Sequence, residues 1–226
     1  MNKFKATVST HSKRVSDYFE MSCFNDVVRF YHLKGYTIEV QNLMQNEYKY
    51  KCSTSGIQEN FSHFSASIEL EDDFYEFEIH HNLAVQSSHD LELFTTPDIT
   101  IIKKGKARTA IGYYESKRRF SFVKNINMMS FCECKQFNPF PELVFNFIGV
   151  VNELRHEIMN NTFPNVFPPH ISPSLMVSGK PNKQTMKIKS SLENRYCINI
   201  IYDLFYSKTI TFSKRNINLL RTLGKL

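Results

Sequence analysis

Two short stretches constrain the fold of this chain more than any others. They are the largely apolar run Ile99 to Ile102, and Met128 to Lys135 with Pro139-Phe140-Pro141 just beyond it. A short apolar run without alternation is what a strand buried on both faces shows. The prolines open a helix, because the N–H that proline lacks would be unpaired in a first turn anyway; this helix is expected to reach about Met159. Upstream, Val15, Phe19, Cys23, Val27 and Phe30 recur every three or four residues. That predicts a helix from about Ser12 to Leu33, stopped by Lys34-Gly35. Tyr36–Val40, Glu47–Cys52, Ser62–Leu70 and Phe74–Val85 read as strands, and the acidic–apolar alternation of Phe74 to Ile79 suits one wet face. Pro164 to Pro173 reads as a loop, Asn182–Leu192 as a short helix, Tyr196–Tyr202 as a buried strand and Asn216–Leu223 as a short helix. The order predicts an α/β (α+β) fold: a mixed β-sheet flanked by helices, with an extra β-meander before the strand that follows Asp98. A single domain over 1–226 is expected, with its core at about 12–205 and a short C-terminal extension over 206–226.

A chain of 226 residues with 20 Phe and 11 Tyr can bury a sizeable core without staples. Its five cysteines, Cys23, Cys52, Cys132, Cys134 and Cys197, are an odd set without metal-knuckle spacing. That suits a reducing cytosol better than a disulfide framework. The N-terminal stretch lacks the apolar run of a signal peptide. No segment approaches the roughly 20 apolar residues that span a bilayer. A cytoplasmic protein without a membrane partner is therefore expected. The net charge of +6 favours a polyanionic partner, nucleic acid first.

The residues that carry chemistry are Pro97-Asp98, heading one strand, and Glu133-Cys134-Lys135 on another. Alternate side chains of a strand share a face, so Glu133 and Lys135 project together with Phe131, while Cys132 and Cys134 point into the packing beneath. If the strands are neighbours, Asp98 lies beside Glu133. Two carboxylates and the Cys134 backbone carbonyl then offer hard oxygen donors suited to Mg²⁺ or Mn²⁺. Beside a metal-bound water, the compact Lys135 side chain can help orient or deprotonate the nucleophile, or neutralise charge building on a phosphate.

These five residues resemble the PD-(D/E)XK nuclease superfamily, as does the helix–strand–strand–strand–helix–strand order around them. The resemblance implies a restriction-endonuclease-like core and a metal-dependent phosphodiesterase with Asp98, Glu133 and Lys135 as catalytic residues. It also implies DNA as a more natural substrate than RNA, a setting such as bacterial defence or restriction, and compatibility with a homo-oligomer or a partner subunit. A ribonuclease and an inactive nucleic-acid-binding module share that fold. The family often takes one more metal-binding acid from the first helix. Glu20, on a stripe with Phe24, Val27 and Tyr31, is the candidate; Asp17, Asp26 and Glu78 are rivals.

The stretch between Asp98 and Glu133 is longer than a tight hairpin and rich in cations: Lys103, Lys104, Lys106, Arg108, Lys117, Arg118, Arg119 and Lys124. Tyr113, Tyr114, Phe120 and Phe122 are interleaved with them. Cations neutralise phosphates and aromatic rings stack on bases, so these eight residues are expected to bind nucleic acid; the alternative is a solvated hairpin whose aromatics belong to the core. His89-Asp90 reads as part of a loop. His80 and His81, adjacent on a strand, point to opposite faces and cannot form one ligand pair.

Overall fold

The computed structural model describes residues 5–7, 15–113, 116–160, 168–204 and 216–224. In chain order the elements are β1 (Lys5–Thr7), α1 (Val15–Leu33), β2 (Thr37–Gln41), β3 (Glu47–Lys49), β4 (His63–Leu70), β5 (Asp73–His81), β6 (Ala84–Gln86), β7 (Phe94–Thr95), β8 (Ile99–Lys103), β9 (Arg108–Tyr113), β10 (Ser116–Val123) and β11 (Met128–Lys135). Then follow α2 (Pro141–Leu154), α3 (His156–Met159), β12 (His170–Ile171), β13 (Ser174–Val177), α4 (Lys183–Arg195), β14 (Asn199–Ile201) and β15 (Thr222–Leu223).

A seven-stranded mixed sheet in the order β14-β13-β11-β8-β5-β4-β2 organises the fold. From β2 through β11 the neighbours are antiparallel. From β11 through β13 to β14 they are parallel, with α2 and α4 among the connecting segments, as parallel strands require a crossover. α1 covers one face, where Phe24, Val27, Phe30 and Tyr31 are fully buried against Ile79, Ile99, Ile101, Cys132 and Cys134. α2 and α4 belong to the other face, with Leu143, Val144, Phe147, Val151 and Leu192 packing with Ile102, Phe131, Leu175 and Val177. Burying a large apolar side chain contributes about 1.5–3 kcal/mol, so these two layers dominate the favourable terms. β8, buried on both sides, matches the short apolar run that predicted it, and β11 matches the strand expected over Met128–Lys135.

The stop of α1 is set by chain geometry. Gly35 takes φ +93°, and the Tyr36 N–H reaches back to the Tyr31 carbonyl at 3.1 Å, closing the last turn. The predicted strand Phe74–Val85 divides into β5 and β6 because Asn82 adopts φ 52°, a left-handed conformation that interrupts a ladder. The helix expected to reach Met159 breaks at Arg155, whose buried guanidinium donates to the Met129 carbonyl and pairs with Glu157. β13 lies between the expected loop and the expected helix, in a stretch to which the sequence assigns no element. The first part of the expected proline-rich loop, 164–167, lies outside the described residues, and within its remainder His170–Ile171 forms β12. Asn216–Leu223, expected as a helix, is instead a 3₁₀ turn over Ile217–Leu219 followed by β15, which pairs with β12. Ile217, Leu220 and Leu223 are buried, so these residues beyond 205 contribute to the core. No described helix is long and apolar enough to cross a membrane.

Candidate functional site

β8 and β11 are neighbours, and Cys132 pairs with Ile99. Because the strands are antiparallel, the residue before Ile99 and the residue after Cys132 come together: Asp98 lies beside Glu133 at one end of the sheet. The alternation on β11 is as expected, with Cys132 and Cys134 buried beneath α1 and Phe131 buried with Phe147 beneath α2. Asp98 Oδ2 accepts from the Cys134 N–H at 2.6 Å and from Lys135 Nζ at 3.0 Å. Lys135 Nζ also lies 2.8 Å from Glu133 Oε2, so one ammonium bridges both carboxylates. The N–H and carbonyl of one strand residue face the same side. The Cys134 carbonyl therefore opens toward Asp98, past the last β8 pair.

Glu20 completes the cluster from the opposite face. Its stripe partners Phe24, Val27 and Tyr31 are buried, and Glu20 itself is half-buried where α1 passes the end of the sheet. Burial, then Asp98 and Asp17, raise the Glu20 carboxyl to about 7, against the attraction of Lys135 and a hydrogen bond from Asn82. Burial and Asp98 raise Glu133 to about 7 as well, with Lys135 opposing. The ammonium of Lys135 is held well above its usual range: burial works against the charge, but Glu133 and Asp98 outweigh it. Of the rivals to Glu20, Asp17 is near enough to act on it electrostatically, whereas Glu78 lies elsewhere on β5, bonded to His80 at 2.9 Å.

Two carboxylates share one ammonium, and Glu20 lies close enough to feel both Asp98 and Lys135. Burial first, and the charge of Asp98 second, push the Glu20 and Glu133 carboxyls up to about 7 against the opposing pull of Lys135. A hard divalent cation can replace their protons; Asp98, Glu133 and the Cys134 carbonyl offer it oxygen at the sheet end, with the Glu20 carboxyl nearby on α1. The donor set therefore fits Mg²⁺ or Mn²⁺.

Two residues without a motif of their own hold this end of the sheet. The Asn82 N–H donates to the Asp98 carbonyl at 2.9 Å, and the Asn82 side chain donates to the Lys51 carbonyl at 2.8 Å. The buried Lys51 ammonium donates to the Asn82 carbonyl at 2.7 Å, and burial lowers its pKa to about 8. The only sequence signal for Asn82 was an Asn at the end of an aromatic strand; Lys51 gave none.

The basic residues divide. Lys103, Lys104 and Lys106 follow the far end of β8, roughly 17 Å of strand from Asp98 at about 3.4 Å per residue, and Lys104 pairs with Glu76 at 2.6 Å. The exposed Arg108 and Lys124 lie on and just beyond the β9–β10 hairpin. The side chain of Lys117 and all of Tyr114 lie outside the described residues, as does the side chain of Tyr113. Arg118 and Arg119 are exposed and line a cleft of about 170 Å³ with Thr54, Ser55, Gly56 and Thr96, two residues before Asp98. Phe120 and Phe122 pack with Phe94, at ring-centroid distances of 5.4 and 5.2 Å. The three rings form a small half-buried aromatic cluster, and Phe120 also lines the cleft of Arg118 and Arg119. His89 is a loop histidine bonded to the Asn152 carbonyl.

No family model, curated protein or solved structure matches the chain.

Proposed function

We propose that this protein is a metal-dependent nuclease of the PD-(D/E)XK kind, cleaving phosphodiester bonds of nucleic acid, DNA first. One observation carries the reading: Lys135 bridges Asp98 and Glu133 at 3.0 and 2.8 Å at a sheet end to which α1 adds Glu20. The succession α1, three antiparallel strands (β5, β8, β11), α2 and the parallel β13 supports a restriction-endonuclease-like core. The cleft of Arg118 and Arg119 beside Thr96 supports a polyanionic substrate approaching from that side.

Asp98, Glu133, Glu20 and the Cys134 carbonyl would hold Mg²⁺ or Mn²⁺, which when bound lowers the pKa of a water and screens the scissile phosphate. Asp98 is fixed by the Cys134 N–H and by its own backbone bond to Asn82, so it needs no rearrangement to offer an oxygen. Without the cation, Glu133 and Asp98 hold Lys135 protonated. Beside the cation, which offsets those carboxylates, it would orient or deprotonate a nucleophilic water, or neutralise a phosphate oxygen. Arg118 and Arg119 position the strand.

The test is incubation with plasmid, single-stranded DNA and RNA in Mg²⁺, Mn²⁺ or EDTA. Cleavage that needs the cation and vanishes in Asp98→Ala and Glu133→Ala is expected. Tight binding without metal-dependent cleavage would make this a binding module, and RNA-only cleavage a ribonuclease.

A further inference from the structure

We infer that His63, Glu78 and His80 form a second metal site, separate from the acidic cluster, which takes a first-row transition ion, Zn²⁺ before others. β4 and β5 pair with Phe64 opposite Ile79, which sets His63 opposite His80; Glu78, two residues before His80, shares their face. The imidazoles stack with centroids 4.5 Å apart and planes 24° from parallel. One donor atom from each of the three residues lies within 4.8 Å of the others. Glu78 Oε2 and His80 Nε2 are 2.9 Å apart. That is near the spacing of two donors sharing one ion at bond lengths of about 2.0–2.1 Å, so an ion can take the place of the hydrogen-bond proton.

Two further observations point to a ligand. His63 Nδ1 is buried with no hydrogen-bond partner among the described residues, and His80, which turns Nε2 to Glu78, is only 2% exposed. Buried imidazole nitrogens are ordinarily paired, because an unpaired one forfeits its hydration. Glu78 is also braced as a ligand is: its Oε1 accepts from the Gly105 N–H at 2.9 Å, which fixes the carboxylate. Two imidazoles and one carboxylate favour Zn²⁺, Co²⁺ or Mn²⁺ over Mg²⁺, which prefers oxygen alone. Three protein donors leave a position for water. An ion here would join β4 to β5 and, through Glu78, to the turn that leads into β9.

The experiment compares wild type, Asp98→Ala/Glu133→Ala, His63→Gln and Glu78→Gln, each stripped with EDTA, reloaded with Zn²⁺ and dialysed. Wild type and the double variant should retain one zinc equivalent and unfold at a higher temperature with zinc than without, by mass action. His63→Gln and Glu78→Gln should fold, as judged by circular dichroism, yet bind zinc more weakly by a factor on the order of 10². Co²⁺ in wild type should give a visible spectrum without a thiolate charge-transfer band. Equal zinc retention in His63→Gln and Glu78→Gln, no retention in wild type, or a thiolate band pointing to the cysteines would each overturn the inference.

Discussion

Lys135 is the residue on which the proposed chemistry turns, and its neighbours say what removing it does. A cation that only attracts nucleic acid is one of 28 Lys and Arg, so its loss would weaken binding slightly. A cation bridging the two carboxylates acts on the chemical step, where one positioned group contributes on the order of 10²–10⁴-fold. Lys135→Ala is therefore expected to bind DNA in Ca²⁺ as wild type does and to cleave 10²-fold or more slower in single-turnover assays. Lys135→Arg should rescue poorly, since a planar fork does not replace a compact ammonium. Wild-type cleavage by Lys135→Ala would remove the lysine from the mechanism. Glu20 and Glu133 make a pH prediction. Their carboxyls hold protons up to about 7 in the folded protein, against an ordinary 4.5. Between those values the folded state binds more protons than the unfolded one, so metal-free stability falls as pH rises. Glu133→Gln should flatten that fall and stabilise the metal-free protein at pH 8. The gain is at most about 3 kcal/mol at 1.36 kcal/mol per pKa unit, and less once the lost pairing with Lys135 is counted. Urea unfolding at pH 5 and pH 8 decides it; an unchanged slope would show that Glu133 does not carry the shift. At this scale Asp98, Glu133 and Lys135 were legible because strand parity alone puts 133 and 135 on one face. Lys51 was not, because nothing local distinguishes a buried lysine from a solvated one. His63 was not, because its partners depend on the β4–β5 register.

Turns do as much as strands to shape the site. Gly179 follows β13 and passes close to the turn after Lys135: a Cβ there would meet Asn138 Oδ1 at 2.3 Å, Asn138 Cα at 2.6 Å and the Phe137 carbonyl at 2.6 Å. Two of those atoms are backbone and cannot swing aside. Gly179→Ala should cost about 1–3 kcal/mol, as overpacking does, and should slow cleavage by moving the end of β11. A variant as stable as wild type would show that this turn is free to shift. The β9–β10 hairpin makes a second prediction. Arg118 and Arg119 line the cleft near Thr96, whereas Lys103 and Lys106 follow the far end of β8. Replacing both arginines should flatten the salt dependence of DNA binding, by up to about 0.9 in slope per lost phosphate contact. Replacing Lys103 and Lys106 should leave it nearly unchanged, and the reverse result would move the binding face. Elements with strong local signals were legible. β11 was read to its observed ends, and the start of α2 followed from Pro141. The division at Asn82 and the break at Arg155 were not legible, since each is set by tertiary bonds, to Lys51 and Asp98 in one case and to Met129 in the other.

Across the whole molecule, β8 and β11 have partners on both edges and apolar layers on both faces, while β9 closes one edge of its sheet and leaves Ile111 77% exposed. Amide exchange should be slowest in β8 and β11 and fast in β9, because local opening follows exposure; equal protection of β9 would contradict this ordering. The mixed sheet and its helical cover were legible as a class. The parallel addition of β13 and β14 was only half legible, since Ser174–Val177 is a short run hidden behind prolines. The acidic cluster draws on residues from 20 to 135, and Glu20 reaches it only when α1 lies against the completed strands. A ribosome must therefore deliver more than half of the polypeptide before those oxygens can meet, and no shorter nascent chain can assemble the cluster. Synthesis itself delays whatever the cluster does until β8 and β11 have left the exit tunnel and found each other.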